Sequence, residues 1–457
     1  GFWSQHAGVR IPPPQPRNND MKTTTPRIPS GFSEYLPGDQ IEFNRLRDII
    51  RETYERYGYA PLDTPDIELS EVLLAKGGGE TEKQIYRFER GKNDLSLRFD
   101  LTVPLARYVA EHEGQLVFPF RRYQIGKVHR AERAQAGRFR EFYQCDIDVI
   151  GSESVAADAE FPAVINDIFE QFAFGEFTIH VNNRLVLNGF FAGIGLADVS
   201  ADVLRVVDKI EKISRQDFMA ELRELGLSEK QVLQVVAFTE ISGSNDEILS
   251  QLESMKNEIN SDDFALGTAK LRELLAMLRN MGLPEQRIQL DLRIARGLDY
   301  YTGVVYETTL DDYPEVGSVC SGGRYDNLAE NYTRTRLPGV GVSIGLSRLF
   351  YKLREAGVVS SHRQTLARCM VAAFDDAQFS EALQIAAELR RAGVATILNT
   401  ESVPLKKKLR YADRLGIPLV VLIGEEEVRG RFATVKDMAT GENKTIPRQQ
   451  LVEELQR

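Results

Sequence analysis

The stretch Arg296-Gly297-Leu298-Asp299-Tyr300-Tyr301-Thr302-Gly303 is followed by the alternating run 304–307, which predicts a strand. Two glycines on a turn leave backbone room beside a cation and two aromatic hydroxyls, an arrangement that suits a small polar ligand. A tight glycine turn with tyrosines can equally pack the corner of a sheet. The stretch alone leaves both interpretations open.

The composition bounds the class of protein. The chain has 457 residues, of which 42% are hydrophobic and 27% are charged. This length predicts two to four domains, and the balance is that of a globular protein with ample core. The formal net charge of -10 argues against indiscriminate binding of polyanions, because that activity needs a broad positive field. Local basic patches are still compatible with this charge.

The cysteines and the apolar runs indicate a compartment. Cys145, Cys320 and Cys369 lie far apart, so neither a disulfide framework nor a CxxC zinc site is predicted. No apolar run approaches the roughly 20 residues of a membrane span, and the first residues lack the apolar stretch of a secretory signal. We therefore expect a cytoplasmic protein without zinc.

Residues 1–30 are rich in proline and polar side chains, and Met21 lies within them. We expect a disordered leader or an expression remnant. Organelle targeting is the alternative, because the segment has arginines and few acids.

Periodicity organises the rest of the chain. Apolar spacing predicts a helix over 40–57, and Pro61 and Pro65 then predict an edge segment. Nearly all of 186–282 has a helical pattern, including a helix over 203–213, and strands resume at Ile288. From Cys369 onward the pattern is the β-α-β-α-β of a small α/β domain.

Three stretches together resemble the histidyl-tRNA synthetases, a family of class II aminoacyl-tRNA synthetases. They are the opening stretch, the block Arg324-Tyr325-Asp326, and the run 139–148. The helix from Gln40 with the Pro65 segment resembles class II motif 1, residues 130–142 resemble motif 2, and residues 345–348 resemble motif 3. The resemblance covers about residue 28 to the C-terminus.

The resemblance implies an α+β fold, in which a class II antiparallel sheet is flanked by helices. Five parts are expected: a leader (1–30), a catalytic domain (31–185 and 283–356), a helical insertion (186–282), a linker (357–367) and an α/β anticodon-binding domain (368–457). It also implies a homodimer, because motif 1 forms the dimer interface in the class.

The nucleotide site must rely on arginines, since no P-loop and no GxGxxG follows any strand. The resemblance implies that Arg296 and Arg130 are catalytic and that ATP is a substrate, with Mg²⁺ bound mainly through its phosphates. The ATP-binding residues it implies are Arg130, Glu132, Arg138, Phe142 and Arg348.

The resemblance places histidine among side chains that can serve its ammonium and both ring nitrogens. These residues are Asp100, Thr102, Gln144, Asp148, Tyr300, Tyr301 and Tyr325. Asp100 can alternatively cap the helix that follows it, and both roles are compatible.

Contacts to histidine tRNA are expected from basic residues. The densest run is Lys406, Lys407 and Lys408 with Arg410, although such a run can also be a solvated helix face. In the motif 2 loop, Arg133 and Gln135 match residues that relatives use on the acceptor end.

Two functions fit the resemblance. The first is a histidine-tRNA ligase, which forms histidyl-adenylate from histidine and ATP and then transfers histidine to the 3' end of tRNA. The alternative is a non-catalytic regulatory or sensor protein on the same fold that binds histidine or tRNA. The presence of Arg130, Arg296 and Arg348 favours the ligase.

Overall fold

The computed structural model describes residues 24–75, 84–133, 137–210, 212–295, 301–326, 328–361 and 363–456. Most of the opening stretch, including the predicted site residues Arg296 and Tyr300, lies outside the described residues. The same holds for Gln135 and for residues 1–23 of the expected leader.

A large sheet dominates residues 60–344. Its strands and those of a small neighbouring sheet are β1 (Ala60–Pro61), β2 (Ile67–Leu69), β3 (Arg87–Arg90), β4 (Asn93–Leu97), β5 (Phe120–His129), β6 (Glu141–Ile150), β7 (Phe177–Asn183), β8 (Ile288–Leu290), β9 (Val304–Leu310), β10 (Cys320–Tyr325) and β11 (Gly339–Ile344). The large sheet has eight strands in the order β1-β5-β6-β11-β10-β9-β7-β8, and the small one has the order β2-β4-β3. Only the outermost pairs of the large sheet, β1 with β5 and β7 with β8, are parallel. The predicted antiparallel α+β architecture is confirmed.

Fifteen α-helices lie within the described residues. They are α1 (Pro37–Arg56), α2 (Ser70–Leu73), α3 (Thr102–Glu111), α4 (Val155–Phe172), α5 (Arg184–Gly193), α6 (Ser200–Val207), α7 (Arg215–Glu224), α8 (Glu229–Thr239), α9 (Asn245–Ile259), α10 (Asp262–Asn280), α11 (Leu346–Glu355), α12 (Phe379–Arg391), α13 (Leu405–Arg414), α14 (Glu425–Gly430) and α15 (Leu451–Gln456). The predicted helix over 203–213 is too long, because α6 ends at Val207 and turns follow.

The two faces of the large sheet have different surroundings, as strand β6 shows. Side chains of a strand point alternately to opposite faces. On β6, Cys145, Ile147 and Val149 enter the main core, where they meet the apolar stripe of α1. The Tyr54 hydroxyl on α1 donates to the Cys145 carbonyl oxygen at 2.9 Å. The even-numbered positions of β6 are therefore left to face away from the helices.

A second, five-stranded sheet follows in the order β13-β12-β14-β15-β16. Its strands are β12 (Cys369–Ala373), β13 (Thr396–Leu398), β14 (Leu419–Ile423), β15 (Phe432–Asp437) and β16 (Asn443–Pro447). The first three strands are parallel and alternate with α12 and α13, as the sequence pattern predicts. The antiparallel β15–β16 hairpin extends this unit beyond the predicted elements. None of the helices described is long and apolar enough to cross a membrane.

Candidate active site

A cavity of about 560 Å³ opens on the side of the large sheet that faces away from α1. This volume is in the range of small-molecule sites. It brings together the described residues that were predicted to bind histidine and ATP, which are Asp100, Thr102, Arg130, Glu132, Arg138, Phe142, Gln144, Asp148, Tyr301, Tyr325 and Arg348. Residues far apart in sequence thus converge on one space.

The strand register explains why β6 contributes so many lining residues. Gln144, Asp146 and Asp148 occupy alternate positions of β6 and all line the cavity. The neighbouring β11 crosses them with Gly341 opposite Asp148. A Cβ atom on Gly341 would lie 2.0 Å from the Asp148 Oδ1 atom, so only glycine leaves room for this carboxylate.

Asp148 is held in place from two sides. Arg122, opposite Asp148 on β5, places its Nη2 atom 2.7 Å from Asp148 Oδ2, and the arginine is fully buried. The Tyr325 hydroxyl donates to Asp148 Oδ1. Burial raises the pKa of Asp148, whereas Arg122 and Tyr325 oppose that rise. Because a carboxylate offers about four lone-pair sites, Asp148 can still accept a further N–H.

Asp100 lies at the start of α3 and makes the cap contact that the sequence allowed. The Val103 backbone N–H donates to Asp100 Oδ1 at 3.1 Å. Burial raises the pKa of Asp100 to about 6, while this N–H and the nearby Arg130 and Arg122 guanidinium groups act in the opposite direction. One Asp100 oxygen therefore serves the helix, and Asp100 also lines the cavity.

Arginines gather at another part of the cavity wall. Arg130 Nε donates to the Phe99 carbonyl oxygen at 3.0 Å, and its guanidinium carbon lies 5.2 Å from the centre of the Phe142 ring. Arg348 Nη2 donates to the Val316 carbonyl oxygen at 3.1 Å. Backbone oxygens and a ring thus fix the direction of these cations, which suits the binding of phosphate oxygens.

The cavity also contains residues that the sequence did not single out. They include Gln84, Asp146, Ser321 and Ser343. Arg122, which pairs with Asp148, was missed as well. The signal for Asp146 was its alternation with Gln144 and Asp148, whereas Arg122 could be found only from the strand register. Burial raises the pKa of the Cys320 thiol, which argues against a thiolate nucleophile here.

The basic side chains of α13 differ in their exposure to solvent. Lys406, Lys407 and Arg410 are exposed. Lys408 is only 4% exposed, and its Nζ atom donates to the Ala373 carbonyl oxygen at 2.8 Å. The prediction that Lys408 belongs to a tRNA-binding surface is therefore corrected, because its ammonium group is occupied inside the fold. Arg133, in the loop between β5 and β6, is exposed.

The described part of the chain contains no group of three or more histidine, cysteine, aspartate or glutamate side chains placed to hold a metal ion.

The sequence matches the family profile described as "Histidyl-tRNA synthetase" over residues 31–349 and the profile "Anticodon binding domain" over residues 368–457. The first match covers more than half of the chain. The chain belongs to the histidyl-tRNA synthetase family. The family expected from the motifs is thereby confirmed.

Individual relatives agree with this assignment. The "Histidine--tRNA ligase" of Clostridium tetani is 51% identical over 424 residues, which are 92% of this chain and 96% of the relative. The crystal structure of the histidyl-tRNA synthetase from Nostoc sp. PCC 7120 superimposes with a TM-score of 0.90 at 39% identity, covering 95% of this chain and 100% of that one.

A more distant likeness concerns the alternative function. A Bacillus halodurans structure titled "ATP phosphoribosyltransferase regulatory subunit/histidyl-tRNA synthetase" has a TM-score of 0.73 at 20% identity, covering 88% of this chain and 99% of that one. This likeness shows a shared fold alone. The high identity and full-length coverage of the ligase relatives favour the enzyme over a regulatory protein.

Proposed function

We propose that this chain is a histidine-tRNA ligase that uses the cavity to join histidine to ATP and then transfers histidine to the 3' end of its tRNA. The observation that carries the proposal is the convergence of Asp148, Gln144 and Asp100 with Arg130 and Arg348 on one space. The acidic and amide side chains suit an amino acid that has an ammonium group and a polar ring. The arginines suit a triphosphate.

The carboxylate side of the cavity suits histidine. Asp100, Thr102 and Gln144 offer oxygen acceptors for the α-ammonium group. Asp148 can accept one ring N–H while Tyr301 meets the other nitrogen, so the ring can be recognised at both ends. A site that uses both nitrogens rejects apolar side chains of similar size strongly, because its own buried polar groups would be left unpaired.

The arginine side suits ATP. In the first step a histidine carboxylate oxygen attacks the α-phosphorus in line, and pyrophosphate leaves. Arg130 would bind the α-phosphate, while Arg138 and Arg348 would bind the outer phosphates and an adenine face. Phe142 would stack on the purine, and Glu132 would meet its amino edge. Mg²⁺ would enter with ATP, bound mainly through phosphate oxygens.

No general base is required for this step, because the attacking carboxylate is already ionised. Fixed cations can instead hold the two anions together and offset the charge that develops on phosphate oxygens. Arg296 is the residue proposed to contact both anions, and it lies outside the described residues together with Tyr300. The second step moves histidine from the adenylate to a hydroxyl of the terminal ribose of tRNA.

The tRNA would contact both parts of the chain. Lys406, Lys407 and Arg410 present exposed positive charge on α13, within the segment that matches an anticodon-binding domain. Arg133 is exposed in the loop between β5 and β6, and with Gln135 it would meet the acceptor end. Exposed cations of this kind bind phosphates and are expected to give a salt-dependent affinity.

The proposed assembly is a cytoplasmic homodimer. The small sheet exposes Ile67, Leu69 and Phe88, which are 47%, 44% and 39% accessible. Apolar side chains that are grouped on one small sheet are typical of a surface that another chain covers. Sedimentation of the purified protein at several concentrations tests this: a monomer at all of them would contradict the dimer.

The activity is tested by exchange of labelled pyrophosphate into ATP with each amino acid in turn. Exchange that depends on histidine alone is the expected result. Exchange with another amino acid would overturn the substrate assignment. Histidine binding without exchange would favour the regulatory alternative.

A further inference from the structure

Asp146 lines the cavity beside the residues proposed to bind histidine. It lies on β6 between Gln144 and Asp148, on the strand face that lines the cavity. Its neighbours across the sheet are Gln124 on β5 and Ser343 on β11. Asp146 thus stands midway between the residue proposed for the ammonium group of histidine and the residue proposed for its ring.

The hydrogen bonding of Asp146 is incomplete. The side chain is 3% exposed, yet its Oδ1 atom has no hydrogen-bond partner among the described residues. A buried carboxylate oxygen is normally paired, because leaving it unpaired carries a large desolvation penalty. A missing partner in a cavity wall indicates a donor that arrives with a ligand.

Gln144 repeats this pattern one position away on the same face. Its Nε2 atom donates to Ser343 Oγ at 3.0 Å, which fixes the direction of the amide. Its Oε1 atom is buried and, within the described part of the chain, has no partner. Since Ser343 also stabilises the Asp146 carboxylate, one hydroxyl supports both side chains from β11. Asp146 Oδ1 and Gln144 Oε1 are therefore two neighbouring buried acceptors without a hydrogen-bond partner within the described residues.

The other two aspartates of the cavity differ from Asp146. Asp148 is bound at one oxygen by Arg122 and at the other by Tyr325. Asp100 is bound at one oxygen by the Val103 N–H. Of the three aspartates, only Asp146 has a buried oxygen without a hydrogen-bond partner within the described residues.

The number of donors identifies the ligand group. Two neighbouring acceptors, one of them anionic, call for a cation with several N–H groups and no acceptor of its own. An ammonium group has three donors and no acceptor, whereas a neutral imidazole has a single N–H. The Cα atoms of Gln144 and Asp146 are about 7 Å apart, because they are two residues apart on an extended strand. One ammonium nitrogen can therefore lie between the ends of these two side chains.

We propose that Asp146 is a further histidine-binding residue, and that its Oδ1 atom and Gln144 Oε1 accept hydrogen bonds from the α-ammonium group. This inference rests on the proposed function and makes it more specific. Asp146 thereby selects an amino acid over an imidazole compound that lacks the ammonium group. Asp148 keeps its proposed role as the acceptor for an N–H of the imidazole ring.

Electrostatics supports this assignment. Burial raises the pKa of Asp146 to about 7; Arg122 and Ser343 lower it, and Asp148 and Asp100 raise it further. The buried Cys320 thiol lies on β10, which is separated from β6 by β11. A cation placed beside Asp146 favours its ionised form. Histidine binding near neutral pH is then expected to release a fraction of a proton from this carboxyl.

The test compares ligands with and without the ammonium group. Histidine, histidinol and imidazolepropionate are titrated against the parent protein and Asp146→Asn, with affinities taken from calorimetry. Losing a charge-assisted hydrogen bond predicts that histidine and histidinol bind about tenfold or more weakly. Imidazolepropionate, which has no ammonium group, should bind with affinity unchanged within about threefold. Gln144→Ala is expected to give the same pattern.

Controls separate recognition from folding. Asp167 accepts a hydrogen bond from Tyr57 at the surface of α4 and does not line the cavity, so Asp167→Asn should leave all three affinities unchanged. Calorimetry in buffers of different ionisation enthalpy measures the proton released at neutral pH, and Asp146→Asn should abolish Asp146's share of it.

An equal loss for all three ligands would overturn the inference, since it would place Asp146 at the ring or in the support of the fold. Unchanged affinity for histidine would overturn it as well. Failure of the parent protein to bind histidine would instead contradict the proposed function, so the two claims fail separately.

Discussion

Arg122 Nη2 lies 2.7 Å from Asp148 Oδ2, and both side chains are buried in the sheet beneath the cavity. The pair joins directly opposed positions of β5 and β6. A buried carboxylate that keeps its charge needs such a cation. Arg122 is therefore expected to hold Asp148 ionised and oriented for the histidine ring.

Arg122→Met should remove the buried partner of Asp148. We expect the free energy of unfolding to fall by about 3 kcal/mol, because an unpaired buried charge is left behind. Histidine affinity should fall as well. The double variant Arg122→Met/Asp148→Asn should recover part of the stability but none of the affinity. Denaturant unfolding and histidine titration measure both effects, and recovery of affinity in the double variant would contradict the role of Asp148.

Arg130→Ala removes a cation that the Phe99 carbonyl oxygen and the Phe142 ring hold in the cavity. Preorganised donors of this kind contribute on the order of 100-fold or more to the rate. Pyrophosphate exchange should fall by that factor while thermal stability changes little. Arg45 is an exposed arginine of α1 paired with Glu42, and Arg45→Ala is the matched control. Equal rates in the two variants would remove Arg130 from the mechanism.

Lys406 and Lys407 should act differently from their neighbour Lys408. Reversing the charge of the two exposed lysines is expected to weaken tRNA binding most at low salt, without a change in melting temperature. Lys408→Met removes the donor to the Ala373 carbonyl oxygen and should lower the melting temperature instead. Fluorescence anisotropy with labelled tRNA and thermal melting separate the two. Weakened binding in Lys408→Met at unchanged stability would contradict the structural role.

Asp146 makes stability depend on pH. Its folded pKa is about 7 against an ordinary value of 3.8, so the unfolded chain loses this proton at lower pH. The contribution of Asp146 to the free energy of unfolding therefore falls as the pH rises from about 4 to about 7. Asp146→Asn should gain stability relative to the parent between about pH 4 and 7, on the order of 4 kcal/mol, and keep it above. Titrating groups that do not interact with Asp146 cancel in the difference, whereas Asp148 and Asp100 are coupled to it. Urea unfolding without histidine measures it, and a difference independent of pH would contradict the account.

Much of the cavity could be predicted because its residues lie in recognisable stretches. The alternation in 139–148 predicts that Gln144 and Asp148 share a strand face, and the structure places both in the cavity wall. The same alternation includes Asp146, to which the resemblance assigns no role. Periodicity alone was sufficient to include it.

Other features depended on contacts that no local pattern contains. Arg121 and Arg122 are adjacent, and only the pairing of β5 with β6 shows which one faces Asp148. Lys408 was grouped with its charged neighbours, although it is three residues after Leu405 and four before Ala412, on the buried side of α13. Its helical spacing from these apolar residues, had it been given more weight than its charge, would have placed Lys408 on the buried side of the helix.

The most direct test of the central claim is the charging of tRNA from a mixture of all twenty amino acids. Purified protein is incubated with ATP, Mg²⁺ and total tRNA, and the amino acids esterified to tRNA are identified by mass spectrometry. We predict that histidine alone is attached. Attachment of a different amino acid, or of none while histidine binds, would contradict it.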